Sequence, residues 1–283
     1  MKKTILITGS LGYFGSRLSK YLKDNYNVYG LGTKDSADLN YFKCNLISQE
    51  EVSNLSKIIK PDVIIHSAGI KDIGYCENNP DVAYQVNVLT TENLLLNFPS
   101  SKIIYISTDY VFEGNIGNYS ENDLTNPQTV YGKTKLQAEK LLMEKDVNNS
   151  YVIRTSAIYD NEALFLKYLK TELSKGNTIN AFVDVKYSPT WILDFVEALK
   201  EIIEKDFNEK IMHVCGDSIS RYDFARIYAK VAGYSEDLIL MGYSSNQNFL
   251  FKDLSLNNRR SKSLVSYQPT THHQALRSFL SER

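Results

Sequence analysis

Short, nearly unbroken apolar runs alternate along the chain with longer segments whose apolar residues recur every three or four positions. The runs at 4–8, 28–31, 63–67, 102–107 and 151–154 predict strands. They are rich in Ile, Val and Tyr, as strands covered on both faces are. The segments at 13–23, 50–59, 82–97 and 130–145 predict helices, with Asp81-Val82 and Asn126-Pro127 as entries and Pro61 and Pro99 as stops. Repeated strand-helix-strand units with parallel crossovers place the chain in the α/β class, as a doubly wound parallel sheet with helices on both faces.

Beyond residue 159 the rhythm changes. A helix at 163–175, an extended piece at 178–187, a strongly amphipathic helix from 191 to about 205, a short strand at 211–215, a helix at 220–232 and a short one near 274–280 predict a smaller mixed α/β part. No linker rich in Pro, Gly or Ser separates the parts, which predicts intimate packing and a cleft, with the smaller part covering an open sheet edge. The expected division is 1–158 and 159–283, the helix near 191–205 packing back on the first part.

Composition narrows the function classes. The 283 residues are 43% hydrophobic and 23% charged, with 32 Lys+Arg against 33 Asp+Glu. That balance excludes a disordered acidic chain and supplies no excess of basic residues for nucleic acid. The 3 cysteines are far apart, with no zinc or disulfide spacing. No run is long enough to span a bilayer, and the apolar run after Lys2-Lys3 is too short for a signal peptide. A cytoplasmic protein is expected, with no metal, no nucleic acid and no membrane among its partners.

Thr8-Gly9-Ser10-Leu11-Gly12-Tyr13-Phe14-Gly15 joins the first strand to the first helix. Gly9 and Gly12 let the backbone turn and approach a pyrophosphate at a helix N-terminus, and Gly15 lets that helix press close. The first part is therefore expected to bind a dinucleotide along this stretch, including Leu11, Tyr13 and Phe14. A carboxylate at the end of the second strand would hold an adenosine ribose. None occurs before Asp35, and Thr33, Lys34 or Arg17 could receive a 2′-phosphate instead, which favours NADPH, with NADH as the alternative.

Tyr131 and Lys135 stand one helical turn apart on one face. A phenol titrates near 10 in isolation, and a nearby ammonium lowers that value, making Tyr131 a proton donor to a carbonyl oxygen. Lys135 is also placed to hold a cofactor ribose. Thr108, at the end of the strand at 102–107, points to the crevice where such sheets bind ligands. Thr108, Tyr131 and Lys135 beside a dinucleotide loop suit hydride transfer.

These motifs resemble those of extended short-chain dehydrogenase/reductases, and among them the dTDP-4-dehydrorhamnose reductases. The resemblance runs through the glycine loop, Pro61 to Ala68, Cys76-Glu77-Asn78-Asn79-Pro80, Val86-Asn87-Val88, Tyr105 to Gly114, Tyr131-Gly132-x-x-Lys135, Ile153-Arg154-Thr155-Ser156, Ser188-Pro189-Thr190 and His213 to Gly216. It implies a catalytic triad of Thr108, Tyr131 and Lys135, with Tyr131 as general acid and Asp109 and Tyr110 near the sugar. It also implies that Ala68 and Gly69 lie beside the cofactor, Asn45 and Leu46 near adenine, and Thr155 and Ser156 on the nicotinamide side. The implied ligand is a small-molecule sugar nucleotide, a 4-keto-6-deoxy sugar reduced for surface polysaccharide synthesis, and a homodimer is compatible with it.

The chain departs from the family pattern on the substrate side. Ala157 stands where the family has Trp, Ile70-Lys71 where it has an aromatic-threonine pair, Gly74 where it has Asp, and Leu250-Phe251 where it has Arg-Pro, with Arg259 or Arg260 as candidate substitutes. Two alternatives therefore stand beside the reductase: an epimerase or dehydratase on the same scaffold, and a non-catalytic NADP-binding subunit like the regulatory subunit of methionine adenosyltransferase. His66, Trp191, Cys76 and Cys215 read as packed residues, and His272-His273 as surface.

Overall fold

A computed structural model describes residues 1–146, 149–244 and 251–280. In chain order the first elements are β1 (Thr4–Thr8), α1 (Tyr13–Leu22), β2 (Asn27–Gly32), β3 (Tyr41–Lys43), α2 (Gln49–Ile58), β4 (Val63–His66), α3 (Ile73–Asn78), α4 (Pro80–Tyr84), α5 (Thr90–Asn97), β5 (Lys102–Thr108), α6 (Val130–Lys145) and β6 (Ser150–Thr155). There follow β7 (Ile158–Tyr159), α7 (Leu164–Ser174), β8 (Ile179–Phe182), β9 (Lys186–Tyr187), β10 (Thr190–Trp191), α8 (Ile192–Glu204), β11 (Ile211–His213), β12 (Ile219–Ser220), α9 (Arg221–Val231), β13 (Ile239–Gly242), α10 (Arg259–Leu264) and α11 (His272–Leu280).

Seven strands form one sheet in the order β11-β6-β5-β4-β1-β2-β3. The pairs β2–β3, β1–β2, β1–β4 and β4–β5 are parallel. Strand order reverses between β1 and β4, the switch point at which open α/β sheets bind ligands. The expected parallel, doubly wound α/β architecture is present. Strands β1, β4, β5 and β6 are almost wholly buried, which is why they read as apolar runs and not as alternations. Leu6, Ile64, Ile103 and Val152 form one core layer with Leu94 of α5 and Leu142 of α6.

Where the sequence suggests one boundary near 158, the chain forms two interleaved compact units. The first comprises Met1–Val111, Thr125–Arg154 and Ile202–Met212, the second Phe112–Leu124, Thr155–Glu201 and His213–Arg283. The last turn of α8 and most of β11 thus belong to the first unit. Among the described residues the second unit holds three two-stranded sheets, β10-β7, β12-β9 and β13-β8, with α9 beside β8 and β13.

Three local expectations are corrected. The single helix expected at 82–97 is α4, a π-turn at Gln85–Leu89 and α5, and α3 precedes it. Pro80 sits at the start of α4 and separates it from α3, because a proline nitrogen donates no hydrogen bond. Helix α6 enters at Thr129, not Asn126-Pro127, since the Thr129 hydroxyl accepts the Gly132 amide at 3.0 Å. His272 is buried, its imidazole 2.9 Å from the Asp217 carbonyl, whereas His273 is exposed. His66, Cys76 and Cys215 are buried as expected.

Candidate active site

The first cluster is a cavity of about 450 Å³ in the first unit, lined by the loop from Gly9 to Gly15, by Gly32, Thr33 and Lys34 after β2, and by Ser67, Ala68 and Gly69 after β4. Gly9 has φ +68, which favours glycine, and a Cβ there would meet the Ala68 backbone at 3.0 Å. A Cβ on Gly15 would lie 2.3 Å from the Gly9 carbonyl, so α1 presses on the loop itself. No side-chain hydrogen bond caps the ten-residue helix α1 at Gly12, so its N-terminus opens on the loop. The Thr8 hydroxyl accepts the Ser67 and Ala68 amides at 3.1 and 3.0 Å and lies 2.8 Å from His66 Nδ1. These bonds fix the ends of β1 and β4 side by side. Burial brings His66 down to about 3 and keeps the ring neutral, a packing role.

Leu11, Tyr13, Phe14, Thr33, Lys34, Ala68 and Gly69 line the cavity, as do Gly9, Gly12 and Gly15. Asn45 and Leu46 do not: the Asn45 side chain accepts the Ile47 amide, and the Leu46 carbonyl accepts Asn93 Nδ2. Tyr41, Ser67 and Lys71, which no sequence motif marks as cofactor-binding, line the cavity too. Tyr41 donates its hydroxyl to the Lys34 carbonyl at 2.7 Å, and Asp35 is occupied by Lys43 at 2.8 Å. Lys71 and Arg17 both approach the Tyr13 ring, at 5.7 and 4.2 Å.

The second cluster gathers at the end of β5. Thr108 and Asp109 are buried, and the Thr108 hydroxyl donates to Asp109 at 3.0 Å while accepting the Tyr110 amide at 3.3 Å. The Tyr110 and Tyr131 rings meet edge to face, 5.7 Å apart. A Cβ on Gly132 would lie 2.2 Å from the Tyr110 carbonyl, so the first turn of α6 sits directly on this segment. Lys135 is buried; its ammonium donates to the Ile106 carbonyl at 2.6 Å and stands 3.9 Å over the Tyr105 ring.

The electrostatics around Tyr131 are not those of a phenol drawn down by Lys135. Burial holds Tyr131 above its ordinary value, and hydrogen bonding with Thr108 is what offsets it. The phenol therefore keeps its proton at neutral pH. Lys135 is brought down to about 7 by burial, opposed by the Glu139 carboxylate.

Asn87 joins the two clusters. It lies in the π-turn, buried, where its carbonyl accepts the Ile70 amide at 2.8 Å and its amide donates to Ile70 and to Thr134 at 3.2 and 3.0 Å. It thus ties the cavity wall to the turn of α6 between Tyr131 and Lys135. An asparagine inside an apolar helical stretch was the available signal. In the second unit, the Thr155 hydroxyl lies 3.1 Å from that of Thr190, and Arg260 is engaged by Asn122 at 2.7 Å and Glu121 at 3.6 Å. Leu250 lies outside the described residues.

The family model described as RmlD substrate binding domain matches residues 1–282. The chain belongs to this family. It is 31% identical over 233 residues to a dTDP-4-dehydrorhamnose reductase of Aggregatibacter actinomycetemcomitans, covering 78% of the chain and 76% of that RmlD relative. It is also 30% identical over 212 residues to methionine adenosyltransferase 2 subunit beta of Bos taurus, covering 72% of the chain and 63% of the length of that subunit. Its fold matches the crystal structure of dTDP-4-dehydrorhamnose reductase from Bacillus anthracis in complex with NADP, at a TM-score of 0.87 and 24% identity over 100% of both chains. Among the described residues no group of His, Cys, Asp and Glu could hold a metal, and no helix is long and apolar enough to cross a membrane.

Proposed function

We propose that the chain reduces the 4-keto group of a 6-deoxy sugar nucleotide with NADPH. The observation that carries this reading is the meeting, at the end of β5, of the Thr108 hydroxyl with a Tyr131 phenol that retains its proton, one turn from a buried Lys135. A dinucleotide in this cavity is supported by the glycine loop, which leaves a cradle that a Cβ would fill, and by the α1 N-terminus at Gly12, which carries no side-chain cap. Thr33 and Lys34 also line it, with no carboxylate at the end of β2 before Asp35, which supports a 2′-phosphate. A nicotinamide dinucleotide held along Gly9, Gly12 and Gly15 would supply the hydride for the carbonyl carbon. When the substrate binds, the Thr108 hydroxyl turns its one proton from Asp109 to the carbonyl oxygen and orients it, and Tyr131 gives that oxygen its proton, so C=O becomes CH–OH. The charge of Lys135 stabilises the phenolate left behind.

The test is NADPH oxidation against a panel of dTDP-, UDP-, GDP- and CDP-linked 4-keto sugars, with Tyr131→Phe beside the wild type. Turnover of the variant is expected to fall at least about a hundredfold with cofactor affinity unchanged. A Phe variant as fast as the wild type would remove Tyr131 from the reaction.

The likeness to the bovine subunit and the substitutions at Ile70-Lys71 and Ala157 support a second reading, a cofactor-binding regulatory subunit without turnover. A stoichiometric complex with a methionine adenosyltransferase, together with silence across the panel, would favour it.

A further inference from the structure

Glu139 has no part in the chemistry above, yet its side chain is only 2% exposed. Tyr131, Lys135 and Glu139 stand four residues apart on α6 and share one face. That face lies on β5, where Lys135 donates to the Ile106 carbonyl and the next residue, Ser107, donates its hydroxyl to Glu139. From β6, Arg154 completes a two-pronged pair, Nε to Oε1 at 3.0 Å and Nη2 to Oε2 at 2.7 Å. A buried ion pair is a weak stabiliser, since apolar residues of similar volume often do as well. Its place beside Lys135 gives it another use.

We propose that Glu139 is a positioning residue for the Tyr131–Lys135 pair: clamped by Arg154 and Ser107, its carboxylate fixes α6 over β5 and keeps the buried Lys135 ammonium charged. The groups facing Lys135 are few. Tyr105 of β5 lies under the ammonium, and burial holds its phenol neutral. His66 of β4, 5.5 Å from the Tyr105 ring, is kept neutral by burial and by the charge of Lys135. Asp109 and Cys76 act on Tyr131, and Arg154 of β6 is engaged by Glu139. Glu139 is the group that opposes the desolvation of Lys135.

The turnover arm of the test rests on the reductase reading; the titration arm does not. The Lys135 midpoint is measured in the full chain by carbon NMR of labelled lysine side chains, assigned with Lys135→Met. Glu139→Gln is expected to lower that midpoint by about one pH unit, as loss of a neighbouring opposite charge does. The alkaline limb of NADPH-dependent turnover should move down equally, costing about tenfold at pH 8 and only about twofold at pH 6. Because Glu139→Gln takes the carboxylate away from a buried guanidinium, Glu139→Gln/Arg154→Gln is measured beside it, two amides able to bond each other. The double variant should keep the lowered midpoint. An unmoved midpoint, a loss of turnover equal at every pH and rescued by the double variant, or collapse of the fold in both would overturn the proposal. Should the wild type reduce none of the keto sugars, the reductase reading fails while the lysine titration still decides the role of Glu139.

Discussion

At the scale of single residues, Lys135 carries a cost that its position explains. Burial disfavours its charged form in the folded chain, bringing it to about 7, against roughly 10.4 for a solvated lysine. Between those values the unfolded chain holds more protons than the folded one, so this residue makes the protein gain stability as pH rises through that window. Below pH 7 both states are charged and the penalty is complete. Lys135→Met removes the effect. The unfolding free energy of the wild type minus that of the variant should therefore rise by about 1 kcal/mol per pH unit between pH 7 and pH 9 in urea titrations. Parallel curves would mean that the ammonium is better solvated than its contacts with Ile106 and Tyr105 imply. The same contacts explain why a costly lysine is kept: it stands one turn from the phenol and cannot serve it from solvent.

At the scale of elements, the seam between α1 and the phosphate loop makes the sharpest demand on sequence. Gly15→Ala would set a methyl 2.3 Å from the Gly9 carbonyl, which itself accepts the Gly12 amide, so helix and loop must part. Overpacking of this kind costs about 1–3 kcal/mol in urea unfolding, and NADPH affinity by fluorescence titration should fall at least tenfold. Gly12→Ala is the control, since its Cβ would meet the same oxygen at 3.1 Å and needs only a small shift. If both variants bound alike, the close approach would not be what shapes the cradle. This seam was legible because its glycines follow an apolar strand and open a helix, and α6 was legible because Tyr131, Lys135 and the apolar stripe share one period. The π-turn was not, since its sequence Gln85–Leu89 continues the helical pattern while its backbone widens to seat Asn87. Nor was β3, three residues long at a sheet edge, or the contribution of Tyr41 to the cavity. Glu139 escaped notice because in sequence a glutamate on a helix looks like any solvated charge; only the strands beneath it, bringing Ser107 and Arg154, make it a buried one.

At the scale of the whole molecule, the path of the chain decides what can be cut. It passes between its two units at residues 111/112, 124/125, 154/155, 201/202 and 212/213. A fragment ending at residue 158 holds β1 to β6 and α1 to α6, yet it lacks Ile202–Met212. Those residues supply β11 beside β6, the Lys210 carbonyl that accepts the Val152 amide at 2.8 Å, the Phe207 amide on the Tyr151 hydroxyl at 2.8 Å, and Asp206 on Lys102 at 2.9 Å. Without them β6, buried at every position, becomes an open edge of apolar strand, a site of mispairing. The full chain is expected to unfold in urea with NADPH raising its stability, by about 2.7 kcal/mol at a hundredfold excess over the dissociation constant. Fragment 1–158 should show neither a cooperative transition nor that response. Were the fragment to unfold cooperatively and bind NADPH as the full chain does, β11 would be dispensable, and the sheet would end at β6 in energy as well as in sequence order.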